Sequence, residues 1–208
     1  MKEQDLPSLT DVSRFLEQKL LELTESDYLP DALTFAGNGE PTLHPDFSGI
    51  VDITIKLRDR YTPDAAVSIL SNASRIQDPG VFSALLKMDK NILKLDSGSE
   101  RLFKLMNNPV NPVCFEDLIR SLKNFDGRVI IQSMFLRGNF RGEPVDNTTD
   151  PEVGLWLTRL LEIKPQLVMI YTIARDTPVH SLEKIPIFEL ENIADKVRQT
   201  GLQAEVYG

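Results

Sequence analysis

Residues 32–45 read Ala-Leu-Thr-Phe-Ala-Gly-Asn-Gly-Glu-Pro-Thr-Leu-His-Pro. A short apolar run, Ala32 to Ala36, breaks into a polar turn holding two glycines, an acid and two prolines. The run suits a strand. Gly37 and Gly39 would let the backbone approach a ligand with no Cβ in the way. Glu40 supplies a carboxylate suited to an ammonium group, a charge-assisted bond stronger than a neutral one. Pro41 fixes the turn, and Pro45-Asp46 predicts the start of a following helix. The stretch is not the GxxxxGK[S/T] phosphate loop, because no lysine follows, nor GxGxxG, because the third glycine is missing. On residue chemistry alone, a plain strand-to-helix turn is the competing reading.

Working outward, similar runs recur at Ala66–Leu70, Ile92–Leu95, Val129–Phe135 and Leu167–Ile173, with a weaker one at Gln203–Tyr207. They are rich in β-branched and aromatic residues and do not alternate with polar ones, as expected of strands covered on both faces. Helical spacing of apolar residues predicts helices over Leu9–Leu23, Phe47–Leu57, Val81–Met88, Arg101–Met106, Phe115–Phe125, Val153–Ile163 and Phe188–Val197. Pro165 and Gly201 mark helix stops. Alternation of this kind favours right-handed βαβ units in a parallel sheet or barrel. The longest polar stretch, Arg137 to Asp150, reads as a loop after a strand, where such folds build sites. A helix precedes the first strand, so the strand that should feed it is elsewhere or absent.

The 208 residues carry a net charge of −8, which argues against gripping nucleic acid through phosphate neutralisation. No composition shift or low-complexity linker divides them, so one domain over 1–208 is expected. The one cysteine, Cys114, excludes an internal disulfide and an all-cysteine metal site built from this chain alone. It reads as a small buried residue. No apolar run is long enough to cross a bilayer, and the chain reads as cytoplasmic and without a membrane partner. His44 and His180 lack a second ligand at helical or turn spacing, so no metal ligand is assigned, and no catalytic residue either.

The turn and the strand ends that follow it resemble radical S-adenosylmethionine (SAM) enzymes. FAGNGEPTLHPDF resembles the Gly-Gly-Glu-Pro-like motif after the family's second strand. Val67–Ala73, Leu93–Ser97, Gln132–Gly138 and Val168–Ile173 resemble its third to sixth strands, in order. Within the superfamily the nearest branch is the Fe–S oxidoreductase-like group related to wybutosine synthesis. The resemblance implies a partial parallel (β/α)6 barrel, an incomplete TIM-like barrel lacking its first strand, in a single core domain truncated at its N-terminus. It implies that Gly37, Asn38, Gly39 and Glu40, with Pro41 fixing their turn, hold the amino group of SAM. Ser71, Asn72, Asp96 and Ser97 would lie near the ribose or methionine end. Gln132 and Arg137 would approach the ribose or carboxylate, and Tyr171 to Ile173 would flank the adenine. Each has a plainer alternative: Asn72 capping its turn, Asp96-Ser97 capping the next helix, Arg137 pairing with Glu143 or Asp146.

The sequence departs from the family at its defining feature. CxxxCxxC holds three irons of a [4Fe–4S] cluster whose fourth iron binds SAM, and the reduced cluster cleaves SAM to a 5′-deoxyadenosyl radical. This chain has no such motif. The leading expectation is the SAM-binding portion of an enzyme that carries the cluster in a longer form, with an external electron donor and an unidentified protein, peptide or small-molecule substrate. The alternatives are a cluster-less binding or scaffold domain and an unrelated α/β enzyme.

Overall fold

A computed structural model describes residues 6–26, 28–37, 39–109, 114–174 and 181–208; Asn38 and His180 lie outside them. The chain divides into two compact units, residues 1–71 with 75–91, and 72–74 with 92–208.

The first unit opens with helix α1 (Leu9–Glu25), capped by Ser8, whose hydroxyl accepts from the Asp11 N–H. Strand β1 (Ala32–Phe35) follows, then a 3-10 turn over Pro41–Leu43, helix α2 (Phe47–Tyr61), strand β2 (Ala66–Ser71) and helix α3 (Pro79–Leu85). β1 and β2 run parallel, Ala32 opposite Ala66 and Phe35 opposite Ile69. Thr34 and Ser68, paired in that register, share a hydroxyl–hydroxyl bond of 2.8 Å. Val51, Leu57, Val67, Ile69 and Leu85 are buried and make the core. Asp89 ties the end of α2 to β2. It accepts from the Val67 N–H at 2.7 Å and from Arg58 at 2.8 Å. Burial pushes its carboxyl up, but the Val67 N–H and the Arg58 guanidinium outweigh that and hold it below its ordinary value.

Strand β3 (Lys90–Lys94) leads into the second unit, which holds α4 (Glu100–Asn107), α5 (Phe115–Lys123), β4 (Ile130–Phe140), β5 (Glu143–Asp146), α6 (Asp150–Ile163), β6 (Leu167–Thr172), β7 (Leu182–Lys184), α7 (Ile187–Gln199) and β8 (Ala204–Tyr207). β3, β4, β6 and β8 are neighbours in parallel register, with Lys94 opposite Gln132, Gln132 opposite Met169, and Met169 opposite Glu205. Along β4, Ile131, Ser133 and Phe135 are buried, while Gln132 and Met134 between them are half-exposed. Trp156 of α6 packs edge-on against Phe135. Its indole N–H donates to the Leu95 carbonyl and the Ser133 hydroxyl, both at 3.1 Å. Gly98 is needed here because a Cβ would stand 2.2 Å from the backbone of Leu155 and Trp156.

The α/β class with parallel strands agrees with the sequence, and so do all seven helices. Two expectations need correction. The polar stretch from Arg137 is a hairpin, not a loop: β4 continues to Phe140 and pairs antiparallel with β5. Arg141 and Gly142 both have positive φ, 54° and 84°, the conformation of the two-residue turn that matches strand twist. β7 also adds antiparallel to β4. Cys114 is exposed, not buried, because it stands at the N-cap of α5.

Candidate functional site

In the first unit the turn after β1 is organised around Glu40. One carboxylate oxygen, Oε1, accepts from the Thr42 hydroxyl at 2.6 Å, the Ser71 hydroxyl at 2.7 Å and the Thr42 N–H at 3.2 Å. Glu40 is also the N-cap of the 3-10 turn that Pro41 begins. Ser71, at the end of β2, thus meets Glu40. Gly37 has no positive φ, and a Cβ added at Gly37 or Gly39 would meet nothing within 4 Å. Neither packing nor left-handed backbone explains the glycine at 37, and both positions leave room beside the main chain. Gly37, Gly39, Glu40 and Pro41 line a cavity of about 1430 Å³, whose walls include Leu16 of α1, Phe35 of β1 and Phe47 of α2. Thr42 was not singled out in the sequence. Its signal is its place two residues after the acid, at the second position of a short helical turn.

In the second unit the assigned residues divide. Gln132 and Tyr171, on neighbouring strands of one face, line a pocket of about 230 Å³ with Met169, Lys184 and Tyr207. Asp96 is buried and accepts from the Met134 N–H at 2.8 Å, and Lys94 approaches it at 2.9 Å. Burial pushes the Asp96 carboxyl up against the pull of Lys94. Burial works against the Lys94 charge, but the Asp96 carboxylate outweighs it and holds the ammonium above its ordinary value. Burial and Asp96 together raise Tyr171, which stays a hydroxyl. Lys94 was not singled out. The sequence signal for it was a lysine inside an apolar strand, two residues before an acid.

The remaining positions are engaged within the unit. Asn72 accepts from the Ser74 N–H at 2.9 Å, a turn-capping bond. Ser97 accepts from the Ser99 N–H and donates to the Ser99 carbonyl. Ser99 caps α4, so the cap stands two residues beyond the Asp96-Ser97 pair. Arg137 pairs with Glu189 of α7, not with Glu143 or Asp146. Ile173 packs beside the cluster of Leu102, Leu136 and Val145. Among the described residues no group of three or more His, Cys, Asp or Glu side chains could hold a metal ion. No described helix is long and apolar enough to cross a membrane.

Several solved structures are similar to the chain in fold. The chain is similar to a domain of the pyruvate-formate lyase-activating enzyme of Bacteroides vulgatus, at 15% identity and a TM-score of 0.62, covering 85% of this chain and 99% of that one. It is also similar to a radical SAM methyltransferase of Sphaerobacter thermophilus, at 14% and 0.63, covering 95% and 56%. The third is SuiB of Streptococcus suis, solved with the precursor peptide SuiA, at 16% and 0.66, covering 94% and 42%. At such identities the likeness is one of fold, and it agrees with the partial barrel expected. No family model matches the chain.

Three curated relatives are similar in sequence. GTPase Obg of Brachyspira hyodysenteriae is 26% identical, over 88% of this chain and 25% of that protein. A UPF0026 protein of Synechocystis is 28% identical, over 72% and 52%, and one of Methanocaldococcus jannaschii 26%, over 65% and 41%. The chain thus spans between about a quarter and about half of the length of these relatives.

Proposed function

We propose that this chain is the SAM-binding portion of a radical SAM enzyme, in the branch related to wybutosine synthesis. The observation that carries the reading is the Glu40 turn. A carboxylate with one oxygen fixed by three donors stands beside two glycines that have room for a ligand. That arrangement fits the α-ammonium of the methionine part of SAM, with Glu40 as counter-charge and the open backbone at Gly37 and Gly39 accepting its N–H bonds. Gln132 and Tyr171, which line an open pocket, take the ribose and adenine roles. Asp96 acts behind them by fixing Lys94 and the β4 backbone. SAM held there would supply, in a longer enzyme that brings the reducing cluster, a 5′-deoxyadenosyl radical able to take hydrogen from substrate.

The cluster is a different matter. A [4Fe–4S] site of this kind needs three thiolates, and the chain has one cysteine. These residues do not fit the cluster, and no step through it is assigned to them. In the proposed enzyme the cysteines belong to sequence outside these 208 residues, as does the docking of an electron donor. The name of the Obg relative is not carried over, because the chain holds no Gly-Lys pair of a phosphate loop. The alternative is a binding or scaffold domain that never carries a cluster, and the single cysteine favours it. The coding sequence upstream of Met1 discriminates the two. An in-frame CxxxCxxC, and reductive SAM cleavage by the anaerobically purified longer product, support the enzyme. Absence of any cysteine triad there supports the cluster-less domain.

A further inference from the structure

His44 closes the turn that carries Glu40, and its ring is used at both nitrogens. The Asp46 backbone N–H donates to Nδ1 at 3.1 Å. A nitrogen that accepts carries no proton, so the neutral ring holds its proton on Nε2. Nε2 stands 3.0 Å from the Pro7 carbonyl and donates to it. Pro7 directly precedes Ser8, the N-cap of α1. The backbone of His44 is engaged as well: its N–H donates to the Pro41 carbonyl, and its carbonyl accepts from the Phe47 N–H at the first residue of α2. His44 therefore joins three elements, the start of α1, the end of the 3-10 turn and the start of α2. Asp46, the N-cap of α2, makes no side-chain cap bond, and its own N–H is held by the imidazole.

We propose that His44 is a positioning residue for Glu40, holding the 3-10 turn between α1 and α2 so that the carboxylate keeps its orientation. His44 itself touches no ligand in this proposal. The consequence for SAM rests on the proposed function, but the orientation of Glu40 does not. The experiment uses the 208-residue chain as wild type and as His44→Ala, His44→Gln and His44→Asn. Glutamine can keep the donor to Pro7, and asparagine the acceptor for Asp46, so the variants separate the two bonds. Amide exchange is followed at Thr42, whose N–H donates to Glu40, and at Asp46 and Val12. Equilibrium binding of SAM is measured on the same samples. Loss of one or two hydrogen bonds is expected to speed Thr42 exchange about 2- to 10-fold in His44→Ala and to weaken SAM binding by a similar factor. His44→Gln should restore slow exchange at Val12, and His44→Asn at Asp46. Thr42 exchange unchanged in His44→Ala overturns the proposal, whatever SAM does. Faster Thr42 exchange with unchanged SAM affinity overturns its link to the ligand. A wild-type chain that binds no SAM, with Thr42 exchange still dependent on His44, contradicts the proposed function and leaves the positioning role supported.

Discussion

At the scale of single residues, Glu40 is a carboxylate whose surroundings fix where one of its oxygens points. Thr42 and Ser71 do so, one from the same turn and one from the end of β2. Replacing Glu40 by Ala should weaken SAM binding by roughly 1.5–3 kcal/mol, the usual worth of a hydrogen bond to a charged group, measured by titration calorimetry. Ser71→Ala should cost less, because Thr42 still holds the carboxylate. Residue chemistry was legible here because the turn places its glycines and acid within four positions. It was not legible for Arg137, whose partner Glu189 lies 52 residues away in sequence and comes near only when α7 packs. Asp89 gives a prediction of a different kind. Its folded value is held below the ordinary one near 3.8, so it adds stability above that value and loses it as pH falls through the folded one. Asp89→Asn should therefore flatten the acid side of a stability–pH profile below about pH 4 and lower stability at neutral pH.

At the scale of elements, helices were the easiest to read, because apolar residues at helical spacing mark the face that must be covered. Strands hidden in polar sequence were the hardest. β5 is the tetrapeptide Glu-Pro-Val-Asp, with Val145 alone buried, and the turn before it puts an arginine at positive φ. Neither carries a β signal, and the strand exists because β4 offers it a partner. Close approach sets the tightest requirement in the second unit, where α6 lies against the backbone at Gly98. Gly98→Ala would force a Cβ to 2.2 Å from main-chain atoms of Leu155 and Trp156. It should destabilise by about 1–3 kcal/mol or more. For a chain of this size that lowers the melting temperature by about 2–4 °C per kcal/mol, read by circular dichroism. Trp156→Phe, which keeps most of the bulk but loses both indole N–H bonds, should cost about 1–2 kcal/mol.

At the scale of the whole molecule, the strand–helix alternation was enough to give the fold class, and the similar solved structures share that fold at 14–16% identity. The candidate site was legible in part. The Glu40 turn stood out because two glycines, an acid and a proline crowd together directly after an apolar run. Asn72, Ser97 and Ile173 gave no such signal, since a turn cap, a hydroxyl beside a helix start and an apolar contact look the same in sequence with or without a ligand. In the proposed function, Glu40 is the counter-charge for the amino group of SAM. The most direct measurement compares two ligands by calorimetry on the purified chain: SAM, and 5′-methylthioadenosine, which lacks the amino-acid part. Glu40→Gln should weaken SAM about tenfold or more and leave 5′-methylthioadenosine unchanged. No SAM binding by the wild-type chain, or equal SAM affinity in Glu40→Gln, would contradict it.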